Sequence, residues 1–245
     1  KKDLPVAIVT GAGRGIGFSV VKTLLLKNYI VFACTRSKTN NLDKLLNSKG
    51  NNYKQRLFVS KLDINDTSNC KKFTQDVYKK FKRIDILINS AGLPHGGLFL
   101  LTKNSEIVDL FHTNFFSLLS FTQVVARVMG RKKTGHIINI SSSTAFRADS
   151  GTIAYGSAKA ALNYATKVLS KELATQGIRV NAVAPGVTKT SMLEDMDPNA
   201  IIEQVNASSL KKIAEPSQIA SVIMFLCSDE SSHITGQIIR VDGGQ

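Results

Sequence analysis

The sequence predicts an α/β fold: a single doubly wound domain with a seven-stranded parallel sheet and helices on both faces. The 245 residues are 43% hydrophobic, which is enough for one large core. Short β-branched runs alternate with longer helical patterns, and such alternation predicts right-handed crossovers between parallel strands. Several of the short runs are almost continuously apolar, as is typical of strands buried on both faces.

Seven runs have strand character and five stretches have helical periodicity. The strands are predicted at residues 6–10, 30–35, 56–60, 84–88, 136–140, 179–183 and 237–241. The helices are predicted at residues 15–27, 67–81, 106–129, 154–175 and 216–228. No linker or repeat divides the chain, so one domain is expected over residues 1–245. Residues 37–54 are expected to form a surface excursion, and residues 186–210 a flexible substrate loop.

The net charge of +14 suits an anionic partner, such as a phosphorylated cofactor, an acidic protein or a nucleic acid. The basic residues are dispersed, and their densest cluster is Arg131-Lys132-Lys133. A nucleic-acid surface more often shows a basic stripe with interleaved aromatic residues. Most of these charges are therefore interpreted as a solvated surface, and no nucleic-acid partner is expected.

The cysteines, Cys34, Cys70 and Cys227, are scattered, and no pair has metal or redox spacing. They predict reduced thiols in an intracellular protein of the cytoplasm or the mitochondrial matrix. No apolar run reaches the ~18 residues needed to span a bilayer, so no membrane partner is expected. The opening residues do not resemble a signal peptide. No His, Cys, Asp or Glu cluster has metal-ligand spacing, so no metal is expected.

A glycine-rich turn follows the first predicted strand. In "VAIVTGAGRGIGFSVVKTLL", Gly11, Gly15 and Gly17 have the spacing G-x-x-x-G-x-G, a variant of the dinucleotide fingerprint. Glycines there let the backbone turn tightly and approach a pyrophosphate at the helix N-terminus. A strand, a glycine turn and a helix in this order predict a Rossmann-type nucleotide site, and Ile16 is counted among its contacts.

The residues at the end of the second predicted strand indicate whether the site prefers NAD or NADP. Enzymes that prefer NAD usually place an acidic residue there, which accepts a hydrogen bond from the ribose 2′-OH. This chain reads "VFACTRS", with Arg36 and no acid, and Arg14 lies within the glycine turn. Two guanidinium groups without a carboxylate favour a 2′-phosphate and hence NADP(H). The alternative is a pair of surface arginines.

Tyr155 and Lys159 stand four residues apart in "AYGSAKAAL". Positions i and i+4 share one helix face, so an ammonium beside the phenol is expected to lower the tyrosine pKa. Ser142 follows the fifth predicted strand, and ligands of open α/β sheets bind at the carboxyl ends of strands. Ser142, Tyr155 and the glycine turn are thus expected on one rim. A Tyr–Lys pair at this spacing is also common on exposed helix faces.

These motifs resemble the short-chain dehydrogenase/reductase family over nearly the whole chain. The matching blocks, in order, are "TGAGRGIG", "LDIND", "DILINSAG", "HTNFFS", "GHIINISS", "YGSAK", "RVNAVAPGVTKT" and "ITGQIIRVDGG". Each block is weak or moderate evidence alone, whereas all of them in this order are specific for the family. One departure is Asn89-Ser90-Ala91-Gly92, where the family usually has Asn-Asn-Ala-Gly.

The resemblance implies a catalytic tetrad of Asn114, Ser142, Tyr155 and Lys159. In that scheme Tyr155 protonates the alkoxide that hydride transfer creates, and Ser142 hydrogen-bonds the carbonyl oxygen. Lys159 lowers the tyrosine pKa and holds the nicotinamide ribose, and Asn114 holds a water that relays protons to Lys159. The resemblance also implies further cofactor contacts at Asp63, Ile64, Asn89, Ala91, Gly92, Pro185, Gly186, Thr188 and Thr190. For Asn181 a structural role is expected.

Within the family, the chain is most similar to the 3-oxoacyl-(acyl carrier protein) reductases of fatty-acid synthesis. That likeness implies NADPH, a homotetramer and a substrate carried by acyl carrier protein. The carrier protein is expected to dock near the site entrance at Arg131, Lys132 and Lys133, with Gln176 at a second place where a basic residue is expected. His95, in a loop that lines the substrate pocket of the family, is expected to be exposed.

Two alternatives stay open. One is a general NADPH carbonyl reductase or alcohol dehydrogenase for small ketones, sugars or quinones, because substrate choice lies in loops that vary. The other is a non-catalytic nucleotide- or RNA-binding protein on the same fold, which only the basic charge supports.

Overall fold

Seven strands form one sheet in the order β3-β2-β1-β4-β5-β6-β7, and every pairing in it is parallel. The computed structural model describes residues 4–48, 52–94, 96–194 and 196–245. The strands are β1 Val6–Thr10, β2 Ile30–Thr35, β3 Leu57–Lys61, β4 Ile86–Asn89, β5 Gly135–Ile140, β6 Ile178–Pro185 and β7 Ile238–Val241. The predicted fold class is therefore confirmed, with the strand order reversing direction between β1 and β4.

Eight α-helices connect these strands within the residues that the structure describes. They are α1 Gly15–Leu26, α2 Asn40–Leu46, α3 Thr67–Phe81, α4 Asn104–Phe111, α5 Ser117–Met129, α6 Ile153–Glu172, α7 Pro198–Asn206 and α8 Pro216–Leu226. The helix α3 has its predicted bounds and is capped by Asp66, whose side chain accepts from the N–H of Asn69 at 2.9 Å.

The sheet is buried on both faces because successive strand residues point to opposite sides. On one face α1 and α8 pack against Ala7, Val9 and Val31. On the other face α3, α5 and α6 pack against Val6, Ile8 and Leu87. This division explains the continuous apolar runs that predicted the strands.

Two predicted irregular segments contain helices. The surface excursion includes α2, and the substrate loop at 186–210 includes the short 3-10 turn Ser191–Leu193 and α7. Both helices are short and begin in stretches rich in Asn, Asp and Pro, which read as turns from composition. Pro198 instead occupies the first turn of α7, where proline is tolerated, and Asp197 caps that helix.

The predicted helix at 106–129 is interrupted by a π-helical turn, His112–Phe116, between α4 and α5. This turn holds Asn114, whose side chain is fully buried. A π turn contains one residue more than an α-helical turn and often marks a functional site.

The cysteines are free, as their scattered spacing predicts, and the structure places all three in buried positions. Asn181 is structural, as expected, because it donates to the carbonyl of Ile234 and accepts from the N–H of Gln237. No helix in the described part of the chain has the length and apolarity to cross a membrane.

Candidate active site

A cavity of about 1,110 Å³ opens along the carboxyl edge of the sheet. Its walls come from the turn after β1, the loops after β2 to β6, and the first turns of α6. Parallel strands put all these loops on one edge, and the reversal of strand order leaves a crevice there. The rim predicted from Ser142, Tyr155 and the glycine turn is therefore present.

The glycine turn is packed so tightly that side chains are excluded. A Cβ on Gly17 would lie 2.3 Å from the carbonyl oxygen of Gly11, and one on Gly11 would lie 2.7 Å from that of Ser90. Gly11 and Gly15 also have φ of +62° and +55°, in the left-handed region that favours glycine. The backbone itself therefore forms this wall of the cavity.

The same wall fits the phosphates of a dinucleotide. Arg14 is the N-cap residue of α1, and its side chain forms no capping hydrogen bond. The first residues of α1 line the cavity, so their N–H groups have no side-chain cap at this edge. The Thr39 hydroxyl, beside Gly13, is buried with no hydrogen-bond partner among the described residues. An uncapped helix start and an unpartnered donor are both suited to anionic oxygens.

Arg14 and Arg36 both line this cavity and both are exposed. In the described ranges neither guanidinium forms an ion pair or a hydrogen bond with the protein, and Arg36 directly follows β2 as predicted. Two unpaired guanidinium groups in one cavity wall are suited to a phosphate monoester.

Ser142 stands where β5 leaves the sheet. Its hydroxyl donates to Thr144 Oγ1 at 3.1 Å and accepts from the Thr144 N–H at 3.2 Å, which fixes its rotamer in the cavity wall. Of the neighbouring serines, Ser141 and Ser143 are buried, at 3% and 4% exposure. Burial thus favours Ser142 among the three consecutive serines Ser141 to Ser143.

Lys159 is buried, and its ammonium donates to the carbonyl of Ile140 at 2.8 Å. Removal from water lowers the Lys159 pKa to about 8. Nζ lies 5.7 Å from the centroid of the Tyr155 ring, so the two side chains share one site as the i, i+4 spacing predicts.

The pKa of Tyr155 is raised, chiefly because burial disfavours the phenolate, while a hydrogen bond with Ser142 opposes that shift. The net shift is therefore upward, opposite to the predicted lowering, because desolvation dominates it. The Lys159 ammonium donates its hydrogen bond to the Ile140 carbonyl at the end of β5. A raised pKa keeps the phenol protonated at neutral pH.

Asn114 lies behind the cavity wall and does not line it. Its amide accepts from the Leu93 N–H at 2.8 Å and donates to the Leu93 carbonyl at 2.9 Å. A Cβ on Gly92 would lie 2.9 Å from Asn114 Oδ1 and 3.6 Å from Lys159 Nζ, so the asparagine and the lysine flank Gly92. The position of Asn114 is therefore next to Lys159, with its amide engaged by the backbone.

Most of the other predicted cofactor residues also line the cavity: Ile16, Asp63, Ile64, Ala91, Gly92, Pro185, Gly186, Thr188 and Thr190. Asn89 is the exception, because its side chain points into the sheet and is fully buried. There it donates to Thr122 and to Asn139, each at 2.8 Å. This side chain fastens strands to helices.

His95 lies outside the described residues. Among those that are described, no group of three or more His, Cys, Asp or Glu side chains could hold a metal ion.

The basic cluster Arg131-Lys132-Lys133 is exposed, and Arg131 lies over the Tyr78 ring, 5.0 Å from its centroid. The cluster directly precedes β5, at the amino edge of the sheet, whereas the cavity lies at the carboxyl edge. Six strand residues separate the two edges, or about 20 Å. The prediction that this cluster lies near the site entrance is therefore wrong for a single chain.

Sequence reasoning missed the role of Thr10 at the end of β1. Its hydroxyl accepts from the N–H groups of Ser90 and Ala91, at 3.0 and 3.1 Å, and donates to the Ile88 carbonyl at 3.3 Å. Thr10 thus joins the loops after β1 and β4 beneath the cavity. The threonine before "GAGRGIG" was the available signal, but a hydroxyl with distant partners cannot be recognised from one sequence.

Comparison with known proteins gives one family and consistent relatives. The family model described as Enoyl-(Acyl carrier protein) reductase matches residues 11–245. A 3-oxoacyl-(acyl-carrier-protein) reductase FabG of Thermotoga maritima is 35% identical over 240 residues, which are 98% of this chain and 96% of the relative. A 3alpha-hydroxysteroid dehydrogenase of Mediterraneibacter gnavus is 34% identical over 240 residues, or 97% and 95% of the two chains.

Solved structures agree with the fold. The structure of ElxO with NADP bound superposes with a TM-score of 0.89 at 28% identity, covering 98% of each chain. A short chain dehydrogenase/reductase family protein superposes with a TM-score of 0.85 at 27% identity, covering 98% of this chain and 96% of the other.

Thr10→Val should lower the free energy of unfolding by about 1 kcal/mol, because it leaves two part-buried N–H groups, those of Ser90 and Ala91, without their acceptor. Thr10→Ser keeps the hydroxyl and should lose clearly less. Urea denaturation followed by circular dichroism measures both. A larger loss in Thr10→Ser than in Thr10→Val would show that the methyl group, and not the hydroxyl, stabilises this junction.

Proposed function

The chain belongs to the short-chain dehydrogenase/reductase family, and we propose that it uses NADPH to reduce the 3-oxo group of an acyl thioester carried by acyl carrier protein. The observation that carries the proposal is the convergence on one cavity of a phosphate-binding glycine turn, Ser142, Tyr155 and Lys159. The glycine turn would bind a dinucleotide, and the three side chains are suited to the reduction of a carbonyl group.

NADPH, when bound, would supply the hydride that adds to the carbonyl carbon. The oxygen of that carbonyl then gains negative charge, and two hydroxyl groups of this site can meet it. The Thr144 N–H holds the Ser142 oxygen in place, and the single Ser142 O–H would turn from Thr144 Oγ1 to donate a hydrogen bond to the carbonyl oxygen. Tyr155 would transfer its proton, which a phenol holds at neutral pH.

Lys159 and Asn114 would support this proton transfer without contacting the carbonyl. When Tyr155 gives up its proton, the buried ammonium 5.7 Å from the ring centroid would stabilise the phenolate. Lys159 would also hold the nicotinamide ribose. Asn114 uses one N–H and one acceptor position on Leu93, which leaves further positions for the water that the family resemblance implies.

The choice of substrate rests on the relatives. Several bacterial relatives at 32–35% identity are named 3-oxoacyl-(acyl-carrier-protein) reductases. We infer from them a role in fatty-acid synthesis. A second candidate is a general NADPH carbonyl reductase, which the 3alpha-hydroxysteroid dehydrogenase at 34% identity favours.

We further propose a homotetramer, in which carrier protein docks on Arg131, Lys132 and Lys133 of one subunit and serves the cavity of another. Because the cluster and the cavity lie at opposite edges of the sheet within one chain, docking at the cluster would require that another subunit supply the cavity. Gln176 lies beside the cluster, since a Cβ on Gly130 would be 2.2 Å from its Oε1, so both predicted docking places share one edge.

Tyr155→Phe should reduce turnover of acetoacetyl thioester by at least 10²-fold, the range typical of general acid catalysis. NADPH affinity should change little. Loss of absorbance at 340 nm measures turnover, and fluorescence titration measures affinity. Tyr164→Phe, a change on the exposed face of the same helix at 71% exposure, is the matched control and should have no effect. Full activity of Tyr155→Phe would show that another group donates the proton.

The parent protein should bind NADPH at least about tenfold more tightly than NADH, since charge-assisted hydrogen bonds contribute about 1.5–3 kcal/mol each. Arg36→Asp should erase or reverse that preference. Arg127→Asp, an equal charge change at an exposed position of α5, should preserve it. Equal affinity of the parent for both cofactors would exclude the proposed 2′-phosphate contact.

Replacing Arg131, Lys132 and Lys133 with Glu should lower kcat/KM for carrier-bound substrate while sparing a small acetoacetyl thioester. The loss should shrink at high salt, because the Debye length falls from about 10 Å at 0.1 M to about 3 Å at 1 M. The triple substitution should lower mainly the association rate of the carrier protein.

The control for this variant replaces three other exposed lysines, Lys22, Lys27 and Lys54, with Glu. If both triple variants lose carrier-bound turnover equally, net charge and not the cluster is responsible. If the cluster variant loses both substrates equally, the cluster supports the fold or the oligomer.

A further inference from the structure

A second cavity, of about 800 Å³, adjoins the candidate active site. We call it the side chamber. One wall is the apolar segment 98–101, and the other consists of the loop 144–152 and the outer face of the first turns of α6. Neither the glycine turn nor any residue of the cofactor wall contributes to it.

The side chamber and the active-site cavity share part of their walls. Leu98, Thr144, Ser150, Gly151 and Thr152 line both. The Gly97 N–H donates to the Gly151 carbonyl at 2.9 Å, which holds the two walls together where the cavities meet. The two cavities therefore meet at these shared residues, and a molecule whose carbonyl is bound in the cavity would pass them to reach the chamber.

Thr144 links the chamber to the chemistry directly. Its hydroxyl and its N–H bond the hydroxyl of Ser142, while the same residue lines the chamber. Gly156 backs Thr144, with a built Cβ 3.2 Å from the Thr144 carbonyl oxygen, so the chamber begins beside the Ser142 hydroxyl.

The lining of the chamber is suited to an alkyl chain. Its first wall is a run of four large apolar side chains, and Phe99, Leu100 and Leu101 are 65%, 91% and 79% exposed. Such a run is costly to leave in water and marks a binding surface. The charged residues of the lining, Arg147 and Asp149, pair with each other at 2.9 Å and so leave no unpaired charge towards a ligand.

We propose that the side chamber binds the alkyl tail of the substrate, so that this enzyme favours long-chain over short-chain 3-oxoacyl thioesters. This inference rests on the proposed function and adds the chain-length class of the substrate. The thioester end would leave through the open mouth of the main cavity, while the tail would lie between segment 98–101 and α6.

The test is a series of 3-oxoacyl N-acetylcysteamine thioesters with acyl chains of four to twelve carbons, reduced with NADPH. In the parent protein kcat/KM should rise about twofold to fourfold for each methylene that the chamber removes from water. An equal kcat/KM for the shortest and longest thioesters would overturn the proposal and leave the proposed reaction intact.

Two variants locate the effect in the chamber. Ala160→Phe fills it from α6, and Leu101→Ser removes part of its apolar wall; neither residue lines the main cavity. In both variants kcat/KM for the twelve-carbon thioester should fall at least tenfold, while kcat/KM for the four-carbon thioester should be unchanged. Leu26→Ser, on the exposed side of α1 at 72% exposure, is the control and should keep the rise.

Other outcomes are also decisive. If Leu101→Ser reduces the mass of the assembly in size-exclusion chromatography and impairs all chain lengths equally, the segment is a subunit contact and the proposal is wrong. If no thioester is reduced, the proposed function fails, and calorimetry with 3-hydroxydodecanoate still tests the chamber. Binding that Ala160→Phe weakens supports it, and no binding to the parent overturns it.

Discussion

The parallel register of the central sheet is the constraint on which the candidate site depends. Because all strands run the same way, residues as distant in sequence as Gly11 and Thr190 line one cavity. The buried pair Asn89 and Asn139 maintains this register between β4 and β5. Asn89 also bonds Thr122 in α5, and Asn139 bonds Thr166 in α6 at 2.9 Å, so the helices near the site are fastened to the strands.

Burial sets the acid–base character of the site more than any charge pair. It lowers the pKa of Lys159 to about 8 and raises that of Tyr155, so the usual order of proton affinity is changed in favour of the phenol. An anionic ligand in the same cavity would raise the Lys159 pKa again, because a nearby opposite charge favours the ammonium. Binding a phosphorylated cofactor and charging the lysine are therefore coupled.

The sequence predicted the strands, most helices and nearly the whole cavity wall, because each is encoded locally. Apolar runs predicted β1 and β2 at their observed bounds, and glycine spacing predicted the turn after β1. What it missed depends on tertiary contacts: the hydroxyl of Thr10 between two loops, the direction of the Lys159 ammonium, and the inward side chain of Asn89. The basic cluster was predicted near the site entrance, but it precedes β5 and so lies at the amino edge of the sheet, opposite the cavity.

The π turn at residues 112–116 makes the length of this helical stretch significant. Each residue of an α-helix turns the chain by 100°, so deleting one residue here would restore regular winding but rotate one half of the stretch against the other. Either Asn114 would leave its place beside Leu93, or Phe121 and Val125 would turn out of the core. A single-residue deletion here would therefore disturb either the site or the core, although composition alone gives no sign of that constraint.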